Sequence, residues 1–266
     1  MSMDVESYLR RIGYDGPREP SLETLRELHR QHLFTVPFEN LDIALGIPVV
    51  LEPGRLYDKI VGRHRGGFCY ELNGLFYELL SALGFRVSML SACVRRDDGG
   101  FGPEFDHMLL KVELPEPWLA DVGFGESFVD PLALKPGAQA SEDGHVFGVA
   151  PANGGWELYR HDSDGVQVPL YRFSDIPHQL SEYNAMCQYH QTSPESSFTR
   201  RRICTMARPD GRVTLAGMRL IETENGEREE RLLTTEAELR DCLRGQFGVE
   251  LGSMNGKNLS GSYSSH

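Results

Sequence analysis

The stretch Arg65-Gly66-Gly67-Phe68-Cys69-Tyr70-Glu71-Leu72-Asn73-Gly74-Leu75-Phe76 sets one cysteine at the mouth of an apolar-periodic segment. Leu72, Leu75, Phe76, Leu79, Leu80 and Leu83 recur at i, i+3, i+4 and i+7, the rhythm of an amphipathic helix, and Gly84 supplies the stop. Cys69 is thereby predicted in the first helical turn. Unsatisfied N–H groups and the positive end of the helix dipole favour thiolate over thiol there, and the thiolate is the attacking species. Gly66 and Gly67 let the preceding backbone turn tightly and leave the sulfur approachable. Most cysteines are nevertheless buried and inert, so this segment by itself leaves a structural thiol and a nucleophile both open.

Two downstream segments bear on that choice. Phe105-Asp106-His107-Met108-Leu109-Leu110-Lys111-Val112 places a histidine at the start of a strand-like run, and Trp118-Leu119-Ala120-Asp121-Val122-Gly123-Phe124-Gly125 places an aspartate before a glycine turn. A thiol nucleophile needs a base to take its proton and a third group to orient that base. The three types occur here in the order Cys69, His107, Asp121. Two neighbouring strands would bring the last pair side by side. Taken singly, a histidine at a strand start is commonly a satisfied structural residue, and an aspartate before Val-Gly a turn former.

These three blocks, together with Val36-Pro37-Phe38-Glu39-Asn40-Leu41 upstream, resemble the ordered motifs of the arylamine N-acetyltransferases. The resemblance covers most of the chain and departs at none of the three catalytic positions. It implies transfer of acetyl from acetyl-coenzyme A, through an acetyl-cysteine, to an arylamine, hydrazine or arylhydroxylamine. Cys69 would be the nucleophile, His107 the base and Asp121 its orienting group, with the backbone N–H groups of Cys69 and Phe124 receiving the oxyanion. Phe38, Phe68, Tyr70, Phe124, Phe128 and Phe198 are the expected aromatic walls for the acceptor. Gly123, Gly125 and Arg200 are the candidates for the coenzyme, since neither a Walker loop nor a dinucleotide fingerprint is present. No metal is expected. The same triad chemistry would also serve a macrolactam-forming amide synthase or a thiol hydrolase.

The implied fold is α+β: a helical N-terminal domain, a central β-barrel and a C-terminal α/β lid, of the papain-like cysteine-enzyme superfamily. Residue patterns agree with that plan. Residues 1–84 read as helical, with Val5, Leu9 and Ile12 in one segment and Leu22, Leu25, Leu28 and His32 in a second opened by Pro20-Ser21. Residues 85–190 read as strands over Phe85–Arg95, His107–Leu114, Val146–Val149, Trp156–Tyr159 and Val166–Tyr171. Residues 191–251 carry one strand over Arg212–Leu220, a second over Arg228–Leu233 and a helix over Thr235–Arg244, and residues 252–266 read as a mobile tail.

A formal charge of −12 argues against nucleic acid as a partner and leaves any attraction of an anionic coenzyme to local groups. No apolar run is long enough to span a membrane and no signal pattern opens at Met1, so a soluble, cytoplasmic chain is expected. Five widely spaced cysteines argue against a disulfide framework, and Cys93, Cys187, Cys204 and Cys242 read as structural.

Overall fold

In the computed structural model residues 3–142, 145–162 and 164–252 are described. The tail expected to be mobile lies almost wholly outside these residues. The chain begins with α1 (Val5–Arg11), α2 (Leu22–Thr35), a short strand β1 (Phe38–Glu39), α3 (Leu41–Leu45), α4 (Pro53–Tyr57), a π turn at Asp58–Gly62 and α5 (Cys69–Ala82). Strands β2 (Arg86–Val94), β3 (His107–Glu113), β4 (Pro117–Ala120), β5 (Leu132–Ala133), β6 (Gln139–Glu142), β7 (His145–Ala152), β8 (Gly155–His161) and β9 (Gln167–His178) follow. The last part holds α6 (Asn184–Thr192), α7 (Ser197–Arg200), β10 (Ile203–Arg208), β11 (Gly211–Ala216), β12 (Arg219–Glu224), β13 (Glu227–Leu232) and α8 (Glu236–Phe247).

Ser21 caps α2 by accepting the Thr24 N–H, as the Pro20-Ser21 opening predicts. The apolar stripe of α5, from Leu72 to Leu80, is fully buried, and each such side chain contributes about 1.5–3 kcal/mol relative to exposure. It packs on one face of an eight-stranded antiparallel sheet, ordered β5-β4-β3-β2-β9-β8-β7-β6 among the described residues, whose edge strands β5 and β6 approach each other into a nearly closed barrel. The continuous apolar run of β3 has a simple cause. Met108, Leu110 and Val112 face α5, whereas Leu109 faces the barrel interior with Leu90, Leu119, Phe147, Val149 and Leu158.

A second sheet, β1-β10-β11-β12-β13, is covered by α8 through Leu239, Leu243 and Phe247. The fold is α+β, as expected, but three sequence readings need correction, one being the reading of residues 191–251, which omits strand β10. The helical reading of the first 84 residues misses β1, which pairs Phe38 with Thr205 and Glu39 with Cys204 and so ties the first part of the chain to the last sheet. The single strand read over Arg212–Leu220 is two strands. Ala216 pairs with Arg219 across a two-residue turn at Gly217-Met218, and Gly217 has φ 62°, a left-handed conformation that a glycine adopts at no steric cost. Among the described residues no helix is long and apolar enough to cross a membrane.

Candidate active site

Cys69 opens α5 as predicted and is almost fully buried. The helix start is held from inside: Glu71 Oε2 accepts the Phe68 N–H at 3.1 Å, while Glu71 Oε1 lies 2.8 Å from Lys59 Nζ. Lys59 also reaches Asp42 at 2.9 Å, and Arg65 bridges Glu39 at 2.7 Å and Asp42 at 2.9 Å. Three carboxylates therefore share two cations in a buried cluster behind the cysteine. Burial opposes every one of these charges. The partners outweigh it for Lys59 and Arg65, which are raised, and for Asp42, which is lowered, whereas Glu71 is pushed up to about 6 by burial.

His107 opens β3 and Asp121 directly follows β4, so antiparallel pairing of these strands, with Leu110 opposite Ala120, delivers one to the other. His107 Nε2 sits 2.7 Å from Asp121 Oδ2. That carboxylate accepts three further hydrogen bonds: Tyr171 Oη to Oδ2 at 2.9 Å, and Asn73 Nδ2 and the Gly123 N–H to Oδ1 at 2.8 and 3.0 Å. Burial would raise the Asp121 pKa, but the His107 charge and these donors hold it below the ordinary value. Asn73 projects from α5, the helix of Cys69, and also accepts the Val122 N–H at 3.0 Å. It thus locks the aspartate turn to the helix that Cys69 opens.

The Met108 N–H, next to His107, donates to the Cys69 sulfur, yet burial pushes this thiol well above its ordinary pKa. The lowered pKa expected from helix position alone is therefore corrected: a desolvated thiolate costs more than one helix terminus returns. A neighbouring cation has to supply the difference. With Nε2 committed to Asp121, Nδ1 is the nitrogen of His107 left for another partner. Phe105, immediately upstream, has φ 64° and is held in that strained state by Ser91 Oγ accepting its N–H at 2.7 Å and by Tyr70 Oη donating to its carbonyl.

Four of the expected aromatic residues come together. Phe198 lies 6.0 Å from Phe38 and 5.6 Å from Phe68, and Phe68 lies 5.3 Å from Tyr70, ring centre to ring centre. Asn40 secures this wall by donating to the carbonyls of Phe198 and Arg201 and accepting the Ile203 N–H. Phe124 stands on the other side, 5.1 Å from His107 and 5.0 Å from Tyr171. Phe128 does not join them: it lies in the barrel core, stacked on His29 at 5.8 Å, whereas Phe68 and Tyr70, as fully buried as Phe128, belong to the group around Phe198. His190, unremarked in the sequence, closes the wall 5.1 Å from Phe198.

Of the coenzyme candidates, Gly123 packs on Cys69. A Cβ there would meet Cys69 Cα at 2.8 Å and Asn73 Nδ2 at 2.6 Å. Gly125 faces Phe38 and Thr205, and Arg200 is exposed with its guanidinium on the carbonyls of Glu195 and Ser196. A cleft of about 480 Å³ between the barrel rim and the last sheet offers more: Ser127, His145, Arg208, Arg212 and Arg228 line it, together with Glu126. Arg212 also bonds the Gly125 carbonyl, which joins this cleft to the turn beside Cys69. The cysteines are all free thiols, and among the described residues no group of His, Cys, Asp and Glu is arranged to hold a metal ion.

A helical part, a nearly closed antiparallel barrel and a second sheet, meeting around a buried cysteine backed by a histidine and an aspartate, are the architecture of an α+β transferase of the papain-like cysteine enzymes. The family model described as N-acetyltransferase matches residues 21–255. The arylamine N-acetyltransferase of Mycolicibacterium smegmatis is 34% identical over 97% of this chain and 96% of its own length. Among solved structures, the arylamine N-acetyltransferase of Nocardia farcinica superposes with a TM-score of 0.85 at 36% identity, covering 94% of this chain and 90% of that one. The Mycobacterium marinum enzyme in complex with CoA superposes with a TM-score of 0.86 at 33% identity, covering 92% and 93%. The chain belongs to the arylamine N-acetyltransferase family.

Proposed function

We propose that this chain moves an acetyl group from acetyl-coenzyme A to an arylamine, hydrazine or arylhydroxylamine by a ping-pong route through Cys69. The observation that carries the reading is the Asp121 carboxylate, which receives His107 and three further donors, one of them Asn73 on the helix that Cys69 opens. In the first half-reaction the thiol proton passes to His107 Nδ1 and the thiolate attacks the thioester carbonyl. The negative oxygen is received by the N–H groups of Cys69 and Phe124; those of Val122 and Gly123 are already committed to Asn73 and Asp121. Collapse expels coenzyme A, whose thiolate takes the proton back from His107, and leaves acetyl-Cys69 beside a neutral imidazole.

In the second half-reaction a neutral aromatic amine, seated against Phe38, Phe68, Tyr70 and Phe198, attacks the acetyl carbonyl. His107 takes the amine proton, the C–S bond breaks, and the N-acetyl product leaves. Asp121 stabilises the imidazolium formed in both halves and holds the ring with Nε2 toward itself. The cleft beside Gly125 gathers three arginines, Arg208, Arg212 and Arg228, where Arg200 stands apart from it, so the coenzyme's phosphates are assigned to the cleft. No membrane or nucleic-acid partner enters this scheme, and the chain acts in the cytoplasm.

Intact-mass spectrometry after mixing with acetyl-coenzyme A tests the reading directly. One acetyl group on Cys69, discharged by an aminobenzoate or a hydrazine, is the expected result, and Cys69→Ser gives no adduct. Loading only by longer acyl thioesters would favour an amide synthase. Amide turnover without any coenzyme A thioester would favour a hydrolase.

A further inference from the structure

We infer that His29 is a positioning residue for the reaction: through two backbone hydrogen bonds it sets the place of Asp121, and through Asp121 that of His107 and Cys69. The inference rests on the triad reading above but concerns a residue outside it. His29 lies on α2, is fully buried, and touches neither the aromatic wall nor the sulfur. Its ring spans the chain between Asp121 and Val129. Nε2 accepts the Asp121 backbone N–H at 2.9 Å, and Nδ1 donates to the Val129 carbonyl at 2.6 Å.

These partners dictate the protonation state. A backbone N–H can only donate, so Nε2 must present its lone pair; a carbonyl can only accept, so Nδ1 must carry the proton. The ring is clamped in that plane by Phe128, stacked at 5.8 Å and 7°, with Phe76 edge-on at 6.1 Å. The titratable groups facing it are Asp121 and Asp130 from the loop and His32 one turn further along α2. Burial pushes the His29 pKa down to about 4, which agrees with a neutral ring.

The need for such a group follows from the sheet. Ladder pairing of β4 with β3 ends at Ala120, so the Asp121 N–H is the first buried donor beyond it, and leaving it unpaired would cost about 1–3 kcal/mol. Asp121 thus stands between two imidazoles of opposite duty: its N–H serves His29, and its carboxylate receives His107. A shift of the carboxylate by about 1 Å costs roughly a hundredfold in rate when it misaligns a catalytic group.

The test compares the wild type with His29→Phe, which keeps a ring against Phe128 and removes both hydrogen bonds. Arg30→Ala is the control, since Arg30 is His29's neighbour and binds Asp130 at 2.8 Å without reaching Asp121. The pH dependence of Cys69 alkylation by iodoacetamide reads formation of the thiolate and requires no acetyl transfer; single-turnover acetyl loading is measured alongside. In His29→Phe the acid limb of alkylation moves to higher pH, because a misplaced Asp121 stabilises imidazolium less, and loading slows about tenfold or more. Arg30→Ala leaves both unchanged. A folded His29→Phe with the wild-type acid limb and loading rate would overturn the inference and make His29 a packing residue only. In the unmodified protein, nitrogen-15 shifts must report His29 neutral with the proton on Nδ1 from pH 5 to 8; a proton on Nε2 would overturn it whether or not any variant folds. Failure of the wild type to load acetyl would instead remove the function proposed above while leaving the alkylation and tautomer results to decide His29.

Discussion

Glu71 Oε1 lies 2.8 Å from Lys59 Nζ while Glu71 Oε2 accepts the N–H of Phe68, so one buried carboxylate joins the charge cluster to the first turn of the helix that Cys69 opens. Because Glu39, Asp42 and Glu71 share only Lys59 and Arg65, the cluster holds one more anion than cation.

That excess gives a stability prediction with a defined sign. The Glu71 pKa is raised to about 6 from 4.5 by burial, so the folded state binds the proton more tightly than the unfolded chain. The contribution is fully present below pH 4.5 and is lost as pH rises through 6, to the extent of about 2 kcal/mol. Glu71→Gln mimics the protonated form. Urea unfolding should show the variant close to wild type at pH 4.5 and up to about 2 kcal/mol more stable at pH 7.5. A variant that is equally destabilised at both values would refute this account of the cluster.

Asp121→Asn retains the shape of the four-donor site but cannot both accept from His107 Nε2–H and stabilise an imidazolium. Acetyl loading, followed by rapid quench, should fall by about 10³–10⁴ with the fold intact. A loss below tenfold would mean that His107 is oriented by other contacts.

Phe198→Ala opens the aromatic wall on the side away from His107. Burial of a phenylalanine is worth about 1.5–3 kcal/mol, so discharge of acetyl-Cys69 by an arylamine should lose roughly ten- to a hundredfold in kcat/KM. Loading by acetyl-coenzyme A should change little. Equal loss in both half-reactions would place Phe198 at the coenzyme and not at the acceptor.

Gly123→Ala sets a methyl group 2.8 Å from Cys69 Cα, a distance real contacts do not tolerate. Either the turn carrying Asp121 or the start of α5 must retreat, at about 1–3 kcal/mol. Thermal unfolding and single-turnover loading on the same sample check this: both should fall, and a variant with wild-type loading would show that the turn can move without consequence.

Much of the site was legible because its chemistry is written in short segments. The apolar stripe of α5, the position of Cys69 in its first turn and the strand starting at His107 all follow from side-chain spacing, which acts over one or two turns of chain. Phe38, Phe68, Tyr70 and Phe198 stand as neighbours of one another and Phe128 stands apart from them, which sequence could not distinguish, since a phenylalanine in a barrel core and one in a ligand wall have the same local pattern. The hairpin at Gly217-Met218 was overlooked because two apolar strands joined by a two-residue turn read as one run.

The sequence by itself determined which elements form and which reactive residues occur, since hydrophobic period, caps and turn residues act locally. It did not determine who meets whom. Pairing of β1 with β10, the donors of Asn73 and Tyr171 on Asp121, the Glu39–Asp42–Lys59–Arg65–Glu71 cluster and the span of His29 from Asp121 to Val129 all join residues distant along the chain. Only packing of the helices on the barrel brings them within hydrogen-bond reach. Burial then decides the rest: by removing water it raises the Cys69 thiol and holds His29 neutral.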